Sequence, residues 1–376
     1  MAKKVVVNGQ QSIPHKLKNY TGAKYYNGSS LWAANAPWNV ILSERSDGKS
    51  LWFLKQCVID FLNTGHKFAY VRRYEDQIKQ KDVNLYFKDP NFTSWLQKGS
   101  DYIGIRCNRG ELWLQKQNDD GGSYDADLIG YVFALNVQEK YKSLHYDGVY
   151  NIIFEEFITN KLYLGNGYNE YMEFNHLIST LCRSGKYRAL LIGNTISRDC
   201  PYLLEMGIDL FSTTPGKIYE SHMKKANGDT IKCLFDYVAP KEKDTFFFGK
   251  AEKNIVGGQW DVDEQPHLFF KFNDAEVLYK CVLITKLRQA FKLAVIMFED
   301  NKYLFVWPDK YDNAIQSYDD IFTDTADFEK GYFLKPEKKR HNKIWPLIRM
   351  KRVLFSDNLT GTEFMKAIKR YNPFVV

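Results

Sequence analysis

Trp38-Asn39-Val40-Ile41-Leu42, followed by Ser43-Glu44-Arg45-Ser46-Asp47-Gly48-Lys49-Ser50, decides how the chain is read. The first five residues predict a short apolar strand and the next eight a polar loop. The following fourteen, Leu51 to Thr64, contain neither Gly nor Pro, as a helix requires. Strand, loop and helix in that order are the setting of the phosphate-binding loop G-x-x-x-x-G-K-[ST]. There, backbone N–H groups wrap phosphate, the lysine neutralises it and the Ser/Thr hydroxyl ligates Mg²⁺. Gly48, Lys49 and Ser50 fit the pattern, and Ser43 stands at the first glycine position. The bland alternative is an ordinary turn capped by Ser or Asp at a helix start.

Outward from this stretch, Leu51 to Leu62 is apolar on nearly all faces, which predicts a buried helix stopped by Asn63-Thr64-Gly65. Lys67 to Val71 reads as a second strand. It ends in Arg72-Arg73, at the strand end where α/β sheets bind ligands, so these arginines face either phosphate or a surface carboxylate. Residues 101–136 carry a hairpin signal about Asn108-Arg109-Gly110, with Ile129 to Leu135 as a further strand. Val149 to Phe154 is an apolar strand that stops at Glu155-Glu156. Paired acids there suit phosphate hydrolysis, one carboxylate serving Mg²⁺ and its neighbour polarising the attacking water; the alternative is a strand emerging into solvent. Glu170 to Cys182 has helical periodicity, and the strand Arg188 to Gly193 delivers Asn194, either a sensor of the γ-phosphate or its water or a turn cap. Strands alternating with helices from 38 to 215 predict an α/β fold with a mainly parallel sheet and helices on both faces.

The 376 residues allow two domains and a large core. The six cysteines form no C-x-x-C pair and the seven histidines no cluster, which argues for reduced buried thiols and against structural zinc. The N-terminus is too short in apolar residues for a signal peptide and no run matches a membrane span, so a cytosolic protein with no membrane partner is expected. Net charge is +7, and Lys330 to Arg352 holds nine Lys/Arg against one acid, Glu337: a solvated basic face or a surface for nucleic acid or an acidic partner. Residues 1–37 read as an irregular lead-in of the kind that covers a nucleotide base. Beyond 215, an Asn227-Gly228 hairpin precedes a Lys-rich, Gly-punctuated connector at 239–264. Leu293 to Phe298 and Tyr303 to Trp307 then form a hairpin of a smaller α+β domain that ends in a helix, Thr362 to Arg370. The expected division is 1–235, a linker at 236–268, and 269–376.

Arg45 with Gly48-Lys49-Ser50, Phe68-Ala69-Tyr70-Val71-Arg72-Arg73-Tyr74, Ile152 to Ile158, Arg183 and Ile192-Gly193-Asn194 together resemble the DNA-encapsidation ATPases of small tailed phages with protein-primed genomes. Order and spacing match over residues 38–205, with a weaker match around Phe291 to Asp309. The resemblance implies a P-loop ring ATPase of the additional-strand, conserved-glutamate class that uses ATP and Mg²⁺. It would dock on the portal of a procapsid in the host cytoplasm and drive double-stranded DNA inward as a homo-oligomeric ring, a pentamer in the family; whether a packaging RNA joins is left open. By matching position, Lys49 and Ser50 hold phosphate and Mg²⁺, Arg45 is the loop's basic residue and Glu155 stands at the metal acid; Gly48 from the loop pattern and Arg72 from its strand end complete the expected nucleotide-binding residues. Glu156 is the catalytic base, Lys142 and Arg183 act on the neighbouring subunit's nucleotide, and Asn194 couples hydrolysis to movement.

Two positions depart from the family. Ser43 adds a side chain at the first glycine and is expected either to strain the loop or to weaken ADP binding. Glu155 stands where the family has Asp, so metal contact is expected to shift or run through water. The smaller domain resembles the RNase H-like nuclease domain of larger packaging motors; Asp261, Asp263, Asp300 and Asp309 show no site spacing, which favours a basic, non-cleaving domain that touches DNA, RNA or portal. The competing readings are another P-loop enzyme, such as a helicase or kinase, and a non-enzymatic DNA- or capsid-binding protein with a decayed loop.

Overall fold

The computed structural model describes residues 6–7, 10–11, 25–239 and 275–371, apart from 46, 160–162, 165–167, 184, 197–199, 209, 211–212, 226, 286–288, 310–319, 324–331 and 334–342. The expected linker thus lies almost wholly outside the described residues, as do Asp261, Asp263, Lys330, Lys335, Lys338, Lys339 and Arg340. The chain divides into two compact units, Met1–Ser197 with Pro201–Gln259, and Arg198–Cys200 with Trp260–Val376.

In the first unit the short strands β1 (Val6–Val7) and β2 (Gln10–Gln11) pair antiparallel, and helix α1 (Ser29–Ala34) follows. β3 (Trp38–Ser43) is buried at every position. Its residues alternate between two covered faces, Ile41 in the cluster with Phe53, Val58 and Phe92, and Trp38 against Phe174. α2 (Lys49–Thr64) starts at Gly48 and ends at Gly65, whose φ of 80° and N–H bond to the Phe61 carbonyl close the last turn. β4 (Lys67–Arg72) returns to the sheet.

Two helices follow that no sequence pattern above announces, α3 (Gln80–Phe87) and α4 (Pro90–Gly99). Asp89 caps α4 through bonds from the Asn91 and Phe92 N–H groups, with Pro90 in its first turn. β5 (Gly104–Asn108) and β6 (Glu111–Gln117) form the expected hairpin, Arg109 and Gly110 both with positive φ as a tight turn requires. β7 (Ser123–Ala134), β8 (Val149–Glu155), α5 (Tyr168–Leu181), β9 (Arg188–Asn194), α6 (Pro201–Glu205), β10 (Lys217–Lys224) and β11 (Thr230–Tyr237) complete the unit.

The sheet order is β10-β11-β3-β9-β8-β4-β7-β6-β5. From β11 to β7 every neighbouring pair is parallel; the antiparallel pairs are β10 with β11, β7 with β6 and β6 with β5. The mainly parallel α/β expectation therefore holds. Two features of the order are non-local. β9 inserts between the loop-bearing β3 and the acidic β8, and β11, which reads in sequence as half of a hairpin, also lies parallel beside β3.

In the second unit β12 (Glu276–Ile284), β13 (Ala290–Phe298) and β14 (Asn301–Asp309) form an antiparallel meander. β15 (Ile321–Thr323) runs parallel to β12, β16 (Tyr332–Phe333) to β15, and β17 (Val353–Phe355) to β14. α7 (Trp345–Arg349) and α8 (Asn358–Tyr371) supply Trp345 and Phe364 to a core with Phe291 and Leu293, an α+β arrangement. Among the described residues, no helix is long and apolar enough to cross a membrane.

Candidate functional site

The loop after β3 turns into α2 through Gly48, whose φ is +82° and whose added Cβ would meet the Tyr25 ring at 3.2 Å. The left-handed backbone favours glycine there, and a Cβ would also have to displace the Tyr25 ring slightly. Ser43 is less demanding than expected. It ends β3 in extended conformation, paired with Asn194, and its hydroxyl donates to the Glu44 carbonyl at 3.0 Å, so the expected loop strain is not found there. Lys49 is buried, and its Nζ donates to the Glu44 carbonyl at 3.1 Å and to Asn194 Oδ1 at 2.7 Å. The tip of β9 is thereby tied to the loop lysine. Gly193, just before it, lets the strand pass Phe157, since a Cβ there would lie 2.8 Å from that ring.

β8 delivers the two acids to different surroundings. Glu155 is buried and receives three donors: Tyr70 Oη at 2.6 Å and Arg72 Nη1 at 3.3 Å on Oε2, and Tyr86 Oη at 2.9 Å on Oε1. Burial first, then the neighbouring Glu155 charge, push the Tyr70 and Tyr86 phenols well above their ordinary range, so both remain donors. Glu156 is exposed and has φ +56°, a left-handed backbone that is costly without glycine. The turn is held by its N–H to the Ile192 carbonyl and by Arg73, which donates to the carbonyls of Glu156 at 3.0 Å and Phe157 at 2.6 Å. Arg73 is itself fixed by Glu170, fully buried, at 2.9 Å. Neither expected alternative for Arg73, phosphate or a surface pair, describes it: it is a buried structural clamp.

Arg72 also departs from expectation. Expected at the nucleotide, its guanidinium instead bridges Glu155 and Glu156, with Nη2 2.6 Å from Glu156 Oε2. The reason is register: β4 pairs with β8, which puts the end of one strand beside the acids at the end of the other.

A cavity of about 570 Å³ opens at this edge, lined by Arg45, Gly48, Lys49, Ser50, Glu155, Glu156 and Asn194. Tyr86, Asp89 and Asn91, from the α3–α4 corner, and Tyr25 also line it. A smaller slot of about 130 Å³ beside it is bounded by Tyr25, Tyr26, Trp52, Lys55 and Asn91. Tyr26 is anchored by bonds to the Asp47 carbonyl and to Asp236, so the lead-in does reach the loop. Arg45 and Glu156 also line a third cavity of about 820 Å³. Ser50 and Glu155 offer hard oxygen donors on one side of the first cavity, beside Lys49. The donor set fits a Mg²⁺ held mainly by nucleotide phosphates and water, and among the described residues no cluster of three acid, His or Cys ligands competes with it.

Sequence reasoning missed the α3–α4 wall. The Asp89-Pro90 cap signature marks the start of α4, but nothing local assigns Tyr86 to the site.

Lys142 and Arg183 are not in this cavity. Arg183 Nη2 donates to the carbonyls of Lys142 at 3.5 Å and Leu144 at 3.1 Å, while the Lys142 ammonium pairs with Glu139. Cys182 meets the Val149 carbonyl at the start of β8, so the pair sits toward the N-terminal edge of the parallel strands. The seven residues of β9 separate that edge from Asn194, a span of about 20 Å at strand rise. In the second unit, Asp300 lies in the turn before β14 and Asp309 is the last residue of that strand, so the two do not converge; Asp309 pairs with Lys292 at 3.2 Å.

The family model for the podovirus DNA encapsidation protein (Gp16) matches residues 21–312. A DNA packaging protein of Bacillus phage PZA is 26% identical over 252 residues, 66% of this chain and 68% of that protein. That of Bacillus phage B103 is 27% identical over 176 residues, 45% of this chain, and there the match spans about half of the relative's length, 48%. Among solved structures, a chain of the bacteriophage phi29 viral genome packaging motor assembly shares the fold, with a TM-score of 0.55 at 18% identity over 93% of this chain and 100% of that one.

Proposed function

The chain belongs to the podovirus DNA encapsidation protein (Gp16) family, and on that premise we propose that it is an ATP-hydrolysing motor that drives double-stranded viral DNA through the portal into a preformed capsid. One observation carries the reading: Gly48, Lys49 and Ser50 at the start of α2, Glu155 and Glu156 at the end of β8 and Asn194 at the end of β9 line a single cavity at the C-terminal edge of parallel strands. That edge is where α/β sheets bind nucleotides.

In this reading the loop N–H groups and the α2 N-terminus would cradle phosphate, Lys49 would neutralise it, and Ser50 and Glu155 would be the residues that serve Mg²⁺. Bound Mg²⁺ supplies charge neutralisation across the phosphates. Glu156 orients and deprotonates the attacking water after leaving Arg72. Asn194 senses phosphate through the Lys49 ammonium it shares, and Arg45 closes the rim. Arg72 acts by holding the acids rather than the nucleotide.

Lys142 and Arg183, at the far edge, act on the nucleotide of the next subunit in a homo-oligomeric ring, with five members as the family implies. The domain plan remains an ATPase domain at 1–235, a linker at 236–268 and a basic, non-cleaving domain at 269–376 that faces DNA, portal or a packaging RNA. The ring works in the host cytoplasm, transiently on the procapsid.

The test is ATP hydrolysis measured against protein concentration with and without double-stranded DNA. Cooperative, DNA-stimulated turnover that Lys49→Ala abolishes supports the motor. Unwinding of a forked duplex would point to a helicase, and no turnover at any concentration to a non-enzymatic binding protein.

A further inference from the structure

Leu144 is 51% exposed, in the turn that leads into β8. A lone exposed leucine is ordinary on a protein surface; the bracing of the backbone around this one is not. Its N–H donates to the Tyr141 carbonyl at 3.0 Å, and Arg183 Nη2 donates to the Leu144 carbonyl at 3.1 Å and to that of Lys142 at 3.5 Å. Aromatic packing pins both flanks. The Tyr141 and Tyr146 rings each meet Phe133 edge-on at 5.0 Å, and Tyr146 meets Tyr131 at 5.1 Å. Lys142, Leu144 and Arg183 thus form one braced knob, an apolar side chain with two exposed cations. The Lys142 ammonium pairs with Glu139, an exposed contact that yields readily to an outside acid.

Near the other end of β8, the cavity of about 820 Å³ carries the complementary chemistry. Tyr74, Ile158 and Ile196 give it an apolar lining, and Glu75 and Asp76 add exposed acids. Arg73, also in the lining, is neutralised by Glu170. Glu75 pairs with Lys140 at 3.0 Å, both side chains exposed, whereas Asp76 is in no ion pair among the described residues. Arg45 and Glu156 line this cavity and the phosphate-loop cavity alike, so the two adjoin at the acid assigned to the attacking water. Knob and socket are different patches at opposite ends of β8. A contact between them is head-to-tail, and such contacts close into a ring when the rotation allows.

We propose that this pair of patches is the interface between copies of the chain: Leu144 of one copy seats against Tyr74, Ile158 and Ile196 of the next, and Lys142 and Arg183 pass Glu75 and Asp76 toward Glu156. The inference rests on the reading of Lys142 and Arg183 as residues that act on the next subunit, and deepens it by naming the surface that receives them.

Crosslinking of the full chain tests it. All six native cysteines are buried, so a short bismaleimide reports on introduced thiols. Leu144→Cys chains mixed with Asp76→Cys chains are expected to give a crosslinked pair, each variant alone none, and the double variant a ladder. Leu144→Ala is expected to raise the protein concentration at half-maximal association, measured by sedimentation, by about 10-fold, as the loss of one buried aliphatic anchor requires. Absence of the mixed product overturns the proposal, as does Leu144→Cys coupling to itself as readily as to Asp76→Cys, or an unshifted midpoint for Leu144→Ala. Neither measurement needs hydrolysis. A ladder from a chain without turnover upholds the interface and removes the motor reading; cooperative turnover without the mixed product does the reverse.

Discussion

Arg72 Nη2 lies 2.6 Å from Glu156 Oε2, so the carboxylate expected to activate water is tied to a cation that also reaches Glu155. The two contacts differ in environment: the Glu155 side chain is 7% exposed and that of Glu156 56%. A double-mutant cycle in urea should give a coupling of about 1.5–3 kcal/mol for Arg72 with Glu155 and at most about 1 kcal/mol for Arg72 with Glu156. Glu156→Gln should lower ATP turnover by about 10²–10⁴-fold while the bound fraction of a fluorescent ADP analogue stays unchanged. A loss of nucleotide binding in that variant would remove Glu156 from the catalytic role.

Arg183 sits about 20 Å or more from the cavity edge of its own sheet, by strand rise, and its guanidinium is held by the Lys142 and Leu144 carbonyls. An arginine supplied in trans is worth about 10³–10⁵ in rate. Arg183→Ala should therefore abolish turnover in assembled rings. Mixing it with a Glu156→Gln chain, which still donates Arg183, should restore part of the turnover. If no mixing ratio gives rescue, the trans assignment fails.

Arg73 and Glu170 form the most deeply buried ion pair of the first unit's site, at 2.9 Å, with Tyr202 Oη also bonded to the Glu170 carboxylate at 3.1 Å. Removing one partner leaves a buried charge, so Arg73→Met should cost about 3–5 kcal/mol in chemical denaturation. Because Arg73 also holds the carbonyls of Glu156 and Phe157, Arg73→Lys, which lacks the planar fork, should reduce turnover at temperatures where the chain is still folded. Stability within 1 kcal/mol of the unaltered chain for Arg73→Met, an order-of-magnitude threshold, would show that the pair is not structural.

Asp236 accepts from Tyr26 at 2.8 Å and sits near Asp47. Burial raises its pKa above the ordinary 3.8, the Asp47 charge adding to the effect against the opposing Tyr26 hydrogen bond. The folded state thus binds the proton more tightly than the unfolded chain. Its contribution to stability is complete below the ordinary value and is lost as pH rises through the raised folded value. Asp236→Asn should flatten that part of the profile of unfolding free energy against pH, followed by urea titration, and should stabilise the chain at neutral pH. An unchanged slope would dissociate Asp236 from the effect.

Local pattern alone located the strand at Trp38, the loop through Ser50, the helix after it, the acidic end at Glu155-Glu156 and the strand that carries Asn194. Each depends on a run of neighbours in sequence, and periodicity and turn chemistry are written there. Tertiary structure decided the rest. Arg72 turns to carboxylates because β4 and β8 are paired; Asn194 reaches Lys49 because β9 inserts beside β3; Tyr86 enters the site because the end of α3 packs against it and its hydroxyl reaches Glu155. Arg183 was placed at the opposite edge by the direction of α5 across the sheet. These contacts join residues 69 to 145 positions apart, and their partners are selected by strand order and packing, which no local window of residues encodes.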